Sequence, residues 1–307
     1  PDVFVIGEDV GRYGGAYAVT QGLLKEFGPK RIIDAPMSEA AIVGAALGAA
    51  AVGGRPIAEI MYVDFMTLAM DQIVNQAAKL HCMFGSQLAA PMVIRTQQGI
   101  GRGAGPQHSQ SLEAWFAHVP GLKVVTPATP YDAKGLLKSS VRDNNPVIFI
   151  EHKSLYAVEG EIPDEEYLVP LGLADVKRTG NDVSLIAYSH MVHTVLKAAD
   201  LLDQAGISAE VIDVRTLSPL DMDTIVASAA KTRRAIVVHE ACLTGGFGAE
   251  IAAQLSERLF GQLLAPVRRV AGMDVPLPAN SRLERLVVPS AERIAEVAQE
   301  LCKVKSI

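Results

Sequence analysis

The sequence predicts an α/β protein of two domains, each a mainly parallel sheet flanked by helices. Three observations predict it. Short apolar runs alternate with helical patterns along the chain, which is the rhythm of βαβ units. The alternation breaks once, over residues 152–180, where Glu159-Gly160-Glu161-Ile162-Pro163-Asp164-Glu165-Glu166 is acidic and aperiodic. The 307 residues are 49% apolar, enough for two cores. The domains are expected at 1–165 and 182–307, with a linker at 166–181.

In the first domain the strand candidates are Val3–Ile6, Arg31–Asp34, Ile57–Met61, Met92–Thr96, Lys123–Thr126 and Val147–Glu151. Helices are expected near Thr20–Phe27, Glu39–Val52, Asp64–Phe84, Ser111–Ala117 and Tyr131–Arg142. The chain opens directly on a strand, and an opening this abrupt predicts a further helix ahead of Pro1. In the second domain strands are expected at Val183–Tyr188, Ala209–Val214, Ala235–Glu240 and Val267–Val270. Helices are expected at His193–Gln204, Asp221–Ala230, Gly248–Phe260 and Ala291–Cys302.

Composition narrows the function. A net charge of −6 disfavours nucleic acid or an anionic membrane as partner. Cys82, Cys242 and Cys302 stand far apart with no metal spacing, which predicts a reducing, cytoplasmic setting. No apolar run reaches the ~18 residues a membrane span needs.

The stretch Asp34-Ala35-Pro36-Met37-Ser38-Glu39 introduces an almost wholly apolar helix. Ser38 is a natural cap. Glu39 suits either an acid that favours the helix N-terminus or a carboxylate held against a buried cofactor. Gly44 and Gly48 lie one turn apart and allow close approach of another backbone. The Gly-rich loop Glu8–Gly15 follows the first strand, where such folds place ligands. Met61–Phe65 sits where a strand gives way to a helix. Asp71, Gln72, Asn75, Gln76 and Lys79 form a polar stripe that suits solvent or a subunit interface.

Gly99-Ile100-Gly101-Arg102-Gly103-Ala104 fits a loose dinucleotide fingerprint, yet no helix follows and the next acid, Glu113, is too near. A flexible loop presenting His108 is the better reading; the histidine is either structural or an acid/base group. Arg142-Asp143-Asn144-Asn145-Pro146 reads as a helix end and turn whose oxygens also suit a hard cation. Gly245-Gly246-Phe247-Gly248 suits an anion or a tight turn. Glu292, Glu296 and Glu300 recur every four residues as a solvated face or an acidic docking stripe, beside a basic Lys303-Val304-Lys305. There is no Gly-Asp-Gly followed by a distant Asn, and so no visible magnesium–diphosphate motif.

These stretches together resemble the beta subunit of the thiamine-diphosphate-dependent decarboxylase component of 2-oxo acid (pyruvate or branched-chain) and acetoin dehydrogenase complexes. The matching segments are Gly7–Val10, Asp34–Glu39, Arg55-Pro56, Asp71–Ile73, Gln107–Gln110, Pro120–Val125, Tyr131–Leu136, Arg142–Pro146 and Asp213–Asp221, in order along nearly the whole chain. The resemblance implies a thiamine-diphosphate pyrimidine-binding domain followed by a transketolase C-terminal-like domain. It implies an oxidoreductase that cleaves pyruvate, acetoin or a related 2-oxo compound and passes the acyl group to lipoamide.

By the same resemblance Glu39 and His108 are catalytic, and Glu39, Met61 and Phe65 bind the cofactor's pyrimidine ring. An alpha subunit would hold magnesium and the diphosphate in an α2β2 heterotetramer. A lipoyl-bearing acyltransferase core would dock on the C-terminal domain. Met92, Ser140, Val141, Asp143 and Asn145 match positions that hold a structural potassium ion. Two rivals remain: a transketolase-like half-enzyme acting on sugar phosphates, and a non-catalytic scaffold subunit.

Overall fold

A computed structural model describes residues 2–304; Pro1 and the Lys305 of the terminal basic run lie outside the described residues. The elements in chain order begin with β1 (Val3–Gly7), α1 (Leu23–Phe27), β2 (Ile32–Asp34), α2 (Glu39–Ala51), β3 (Arg55–Ile60) and α3 (Leu80–Met83). They continue with β4 (Val93–Gln98), α4 (Glu113–Ala117), β5 (Lys123–Val125), α5 (Pro130–Arg142) and β6 (Val147–His152). Then come β7 (Asp175–Arg178), β8 (Val183–Ala187), α6 (Met191–Gln204), β9 (Ala209–Asp213), β10 (Thr216–Ser218) and α7 (Met222–Thr232). The chain closes with β11 (Ala235–Cys242), α8 (Gly248–Arg258), β12 (Arg268–Gly272), α9 (Ser281–Val287) and α10 (Ala291–Lys303).

Two compact units form. The first is Pro1–Gln98, Trp115–Val125 and Thr129–Leu171; the second is Gly99–Ala114, Thr126–Ala128 and Gly172–Ile307. The His108 loop therefore belongs to the second unit, whereas the sequence grouped it with the first. The expected linker at 166–181 is not a free tether. Val169 packs with Val93, Val125, Leu136, Val147 and Phe149 in the first unit. Farther along, β7 adds an antiparallel edge to the second.

Strand order in the first unit is β5-β6-β4-β3-β1-β2, with every neighbour parallel. Strands buried on both faces read as continuous apolar runs, which is why they were visible in the sequence. The chain leaves β1 for β2 on one side and β3 on the other. That makes the carboxyl end of β1 a topological switch point, where open α/β sheets bind ligands.

The helix expected over Asp64–Phe84 is instead three pieces: a 3-10 helix over Val63–Ala69, a π-helix over Asp71–Ala77, and α3. The buried positions explain the change of winding. Val63, Met66 and Ala69 recur every three residues, then Ile73 and Ala77 every four, so a tight 3-10 turn gives way to a wider one to keep each inside.

The second unit orders its strands β12-β11-β8-β9-β7. Helices α6 and α10 cover the sheet, with Val195, Leu202, Ile294 and Leu301 packed on Leu185, Val211 and Val238. Ser290 caps α10 by accepting from the Arg293 amide at 3.2 Å. The outward Glu292, Glu296 and Glu300 are exposed.

Candidate active site

In-register pairing builds the first unit's site. Gly7 at the end of β1 pairs with Asp34 of β2 and with Glu59 of β3. A Cβ on Gly7 would meet the Glu59 carbonyl oxygen at 2.8 Å, so only glycine fits between. Asp34 then organises the Glu8–Gly15 loop, accepting from the Gly11 amide at 2.6 Å and the Arg12 amide at 3.1 Å. The loop turns through Gly14 (φ 88°) and Gly15 (φ 82°), a conformation glycine adopts without steric cost.

Ser38 occupies the cap position of α2, but its hydroxyl makes no capping hydrogen bond. Glu39 opens the helix, half-buried. Among the described residues no hydrogen-bond donor engages its carboxylate. Its electrostatic neighbour is Glu8, whose carboxyl is pushed up by burial, by Asp9 and by Glu39 itself. Gly48 and Ala45 on α2 are exposed, and nothing lies within 4 Å of a Cβ built on Gly48.

After β3, Met61 and Phe65 are both half-buried. Phe65 meets Tyr62 edge-on at 5.9 Å between centroids, and Tyr62 meets Tyr17 at 6.4 Å. Tyr17 packs on Tyr156 at 5.0 Å, and Lys153 Nζ lies 5.6 Å over the Tyr62 ring. An aromatic wall thus stands at the carboxyl end of the sheet.

Beneath it lies a buried charge network that sequence reasoning missed. Glu59 pairs in register with Arg95 on β4. The Arg95 guanidinium donates to Glu59 Oε2 at 2.5 Å, to both Glu151 oxygens at 3.1 and 2.5 Å, and to the Tyr156 hydroxyl at 3.2 Å. Burial opposes its charge, but Glu151, Tyr156 and Glu59 outweigh that and hold it protonated. Burial and the Glu151 carboxylate push the Tyr156 phenol up. The available signal was chemical: a charge inside an apolar strand must be paired.

The five cation-site candidates all lie in the first unit. The Val141 and Asp143 carbonyls accept from Arg55 Nη1 at 2.9 and 3.0 Å. The Asp143 carboxylate pairs with Lys123 and accepts from the Asn145 amide at 2.8 Å and its side chain at 2.9 Å. Burial works against that charge, yet these donors hold its carboxyl below the usual range. Ser140 donates to Leu136 O at 2.7 Å, and Met92 O accepts from the Val147 amide at 2.9 Å.

In the polar stripe, Asp71, Asn75 and Gln76 are exposed, and Lys79 donates to Pro120 O at 2.6 Å. In the second unit His108 is half-buried, and its amide donates to Gly105 O at 3.3 Å. Gly246 and Gly248 are close-approach glycines: a Cβ on either would meet the His239 ring at 2.4 or 2.3 Å. That ring donates from Nδ1 to Ala241 O at 3.1 Å, and burial lowers its pKa to about 4.

The transketolase pyrimidine binding domain matches residues 1–159, and the transketolase C-terminal domain matches 172–294. The chain is 48% identical to the beta subunit of acetoin:2,6-dichlorophenolindophenol oxidoreductase from Cupriavidus necator, covering 99% of this chain and 92% of the relative. It is 46% identical to the mitochondrial pyruvate dehydrogenase E1 component subunit beta-2 of Oryza sativa subsp. japonica, covering 98% and 81%. The chain belongs to the E1 beta-subunit family of 2-oxo acid and acetoin dehydrogenase complexes.

The 2-oxoisovalerate dehydrogenase beta subunit of Bacillus subtilis is another E1 beta relative, 45% identical over 98% of this chain and 93% of its own. A split-gene transketolase, solved as an inactive beta4 tetramer, superposes with a TM-score of 0.82 at 22% identity, covering 99% of this chain and 93% of that one. That likeness shows the fold alone. Among the described residues of this E1 beta chain, no helix is long and apolar enough to cross a membrane.

Proposed function

We propose that this chain supplies the pyrimidine-binding half of a thiamine-diphosphate site. With an alpha subunit it would cleave pyruvate, a related 2-oxo acid or acetoin and pass the acyl group to lipoamide. One observation carries the proposal: Glu39 presents a half-buried carboxylate with no donor among the described residues, at the carboxyl end of the sheet where Phe65 also lies. A carboxylate so left can share a proton with a ring nitrogen, while Met61 and Phe65 offer apolar contact to the ring's face. When bound, thiamine diphosphate supplies the nucleophilic carbon that attacks the substrate carbonyl. His108 would manage a proton during cleavage and acyl transfer.

Magnesium and the diphosphate are assigned to the alpha subunit, because this chain lacks that motif. The exposed Gly48 face of α2 and the amide stripe suit contact within an α2β2 assembly. Glu292, Glu296 and Glu300 are the proposed contact for a lipoyl-bearing acyltransferase core. The turn at Asp143 offers oxygens to potassium, since each carbonyl keeps a second lone pair; Arg55 and Lys123 already neutralise much of the charge there. The three thiols are free, and we assign the chain to a reducing, cytoplasmic compartment.

The experiment is reconstitution. This chain alone should be inactive, and mixing with a cognate alpha subunit should produce decarboxylation. Running pyruvate, acetoin and a branched 2-oxo acid in potassium and in lithium buffers separates substrate and ion questions. Sugar-phosphate turnover would favour the transketolase rival instead, and no turnover with any of them would favour a scaffold.

A further inference from the structure

The glycine-rich segment that looked like a dinucleotide cradle does hold an anion, supplied by the protein itself. In the second unit the amides of Gly101 and Gly103 both donate to Glu284 Oε1 at 3.0 Å, and the Gly103 amide also reaches Oε2 at 3.0 Å. Glu284 projects from α9 and is fully buried. Successive glycine amides turned to one side form an anion-binding concavity. Gly101 (φ 135°), Gly103 (φ 63°) and Gly105 (φ 84°) make that turn possible. The fit leaves no room for a side chain: a Cβ on Gly103 would meet the Ser281 amide at 2.9 Å.

A second carboxylate holds the base of the same loop. Glu240 Oε1, at the end of β11, accepts from the Ile100 amide at 2.8 Å and lies 3.5 Å from the Ser111 hydroxyl. Its side chain is 7% exposed. The Gly99 amide closes the loop on Gln110 O at 3.1 Å. The backbone is thus pinned at Gly99, Ile100, Gly101 and Gly103 and again at Gln110, and His108 lies in the span between. The loop is therefore tied down where the sequence suggested flexibility.

We propose that Glu284, with Glu240, is a positioning residue for His108. The two carboxylates fix the loop's backbone so that the imidazole is presented in one place for proton transfer. Acid–base catalysis depends on such placement before it depends on pKa. The proposal rests on the reading of His108 given above.

The test uses the reconstituted complex with thiamine diphosphate and magnesium. Glu284→Ala should raise amide hydrogen exchange across Gly101–Gly105 and lower kcat for acyl transfer to lipoamide by about tenfold or more, part of the range acid–base groups supply. The KM for the 2-oxo substrate should stay within about twofold, since ground-state binding is untouched. Glu284→Gln keeps one acceptor oxygen and should fall between; it serves if the alanine variant does not fold.

Unchanged exchange in a folded variant overturns the clamp. Raised exchange with unchanged kcat, while His108→Ala lowers kcat, overturns the positioning role. If His108→Ala leaves transfer intact, the His108 reading fails and the positioning role falls with it, while raised exchange in Glu284→Ala still upholds the clamp on the loop backbone.

Discussion

Glu39 and Glu284 are both carboxylates near the start of a helix, and they are used in opposite ways. Glu284 is fully buried and satisfied by the amides of Gly101 and Gly103. Glu39 is half-buried, and among the described residues nothing donates to it. Glu59 follows Glu284: it is buried and spent on Arg95. A protein normally satisfies the polar groups it buries. On the function proposed above, the carboxylate that the fold leaves without a donor among the described residues is the one kept for the cofactor. The difference teaches where to look for chemistry: at the unspent acid, with the spent ones as its frame.

The largest expected effect breaks the comparison at Glu39. Glu39→Gln should lower turnover of the reconstituted enzyme by roughly a thousandfold, on the scale of losing a proton-transfer group. Thermal unfolding should stay put, because no internal partner is lost. A matching fall in melting temperature would mean that Glu39 is structural.

Arg95→Met tests the spent side. It leaves Glu59 and Glu151 facing each other without their cation, and removing one partner of a buried pair costs about 3–5 kcal/mol. Urea unfolding of the isolated chain reads this directly. A loss under about 1 kcal/mol would show that water compensates the pair, as at an exposed bridge.

The smallest effect concerns His239, held neutral by burial. Its folded pKa of about 4 lies below the ordinary 6.5. The unfolded chain therefore binds the proton first as pH falls. The stabilisation is fully present above pH 6.5 and is lost between 6.5 and about 4, at most about 3 kcal/mol. His239→Asn should flatten stability against pH in that window. An unchanged slope would assign the acid sensitivity elsewhere.

Much of the fold was legible because its signals are local. Each parallel strand is a short apolar run and each crossover helix has its own period, so all six of the first unit's strands and the main helices fell within a residue or two. The misses had physical causes. β7 and β10 are short, and β7 carries no buried apolar run. α9 buries a glutamate where a hydrophobic residue would have signalled a helix. The 63–84 segment changes its winding to follow its own buried positions.

By itself the sequence determined the alternation of strands and helices, the placement of Glu39 at the mouth of α2, and the series of segments that marks the family. The tertiary structure alone decided which charges are spent. Arg95 meets acids 36 and 56 residues away, and Glu284 fills a glycine nest more than 180 residues before it. Parallel sheets join strands only through long crossovers, and a carboxylate finds its donors in three dimensions. No local pattern could tell the acid held open from the acids already satisfied.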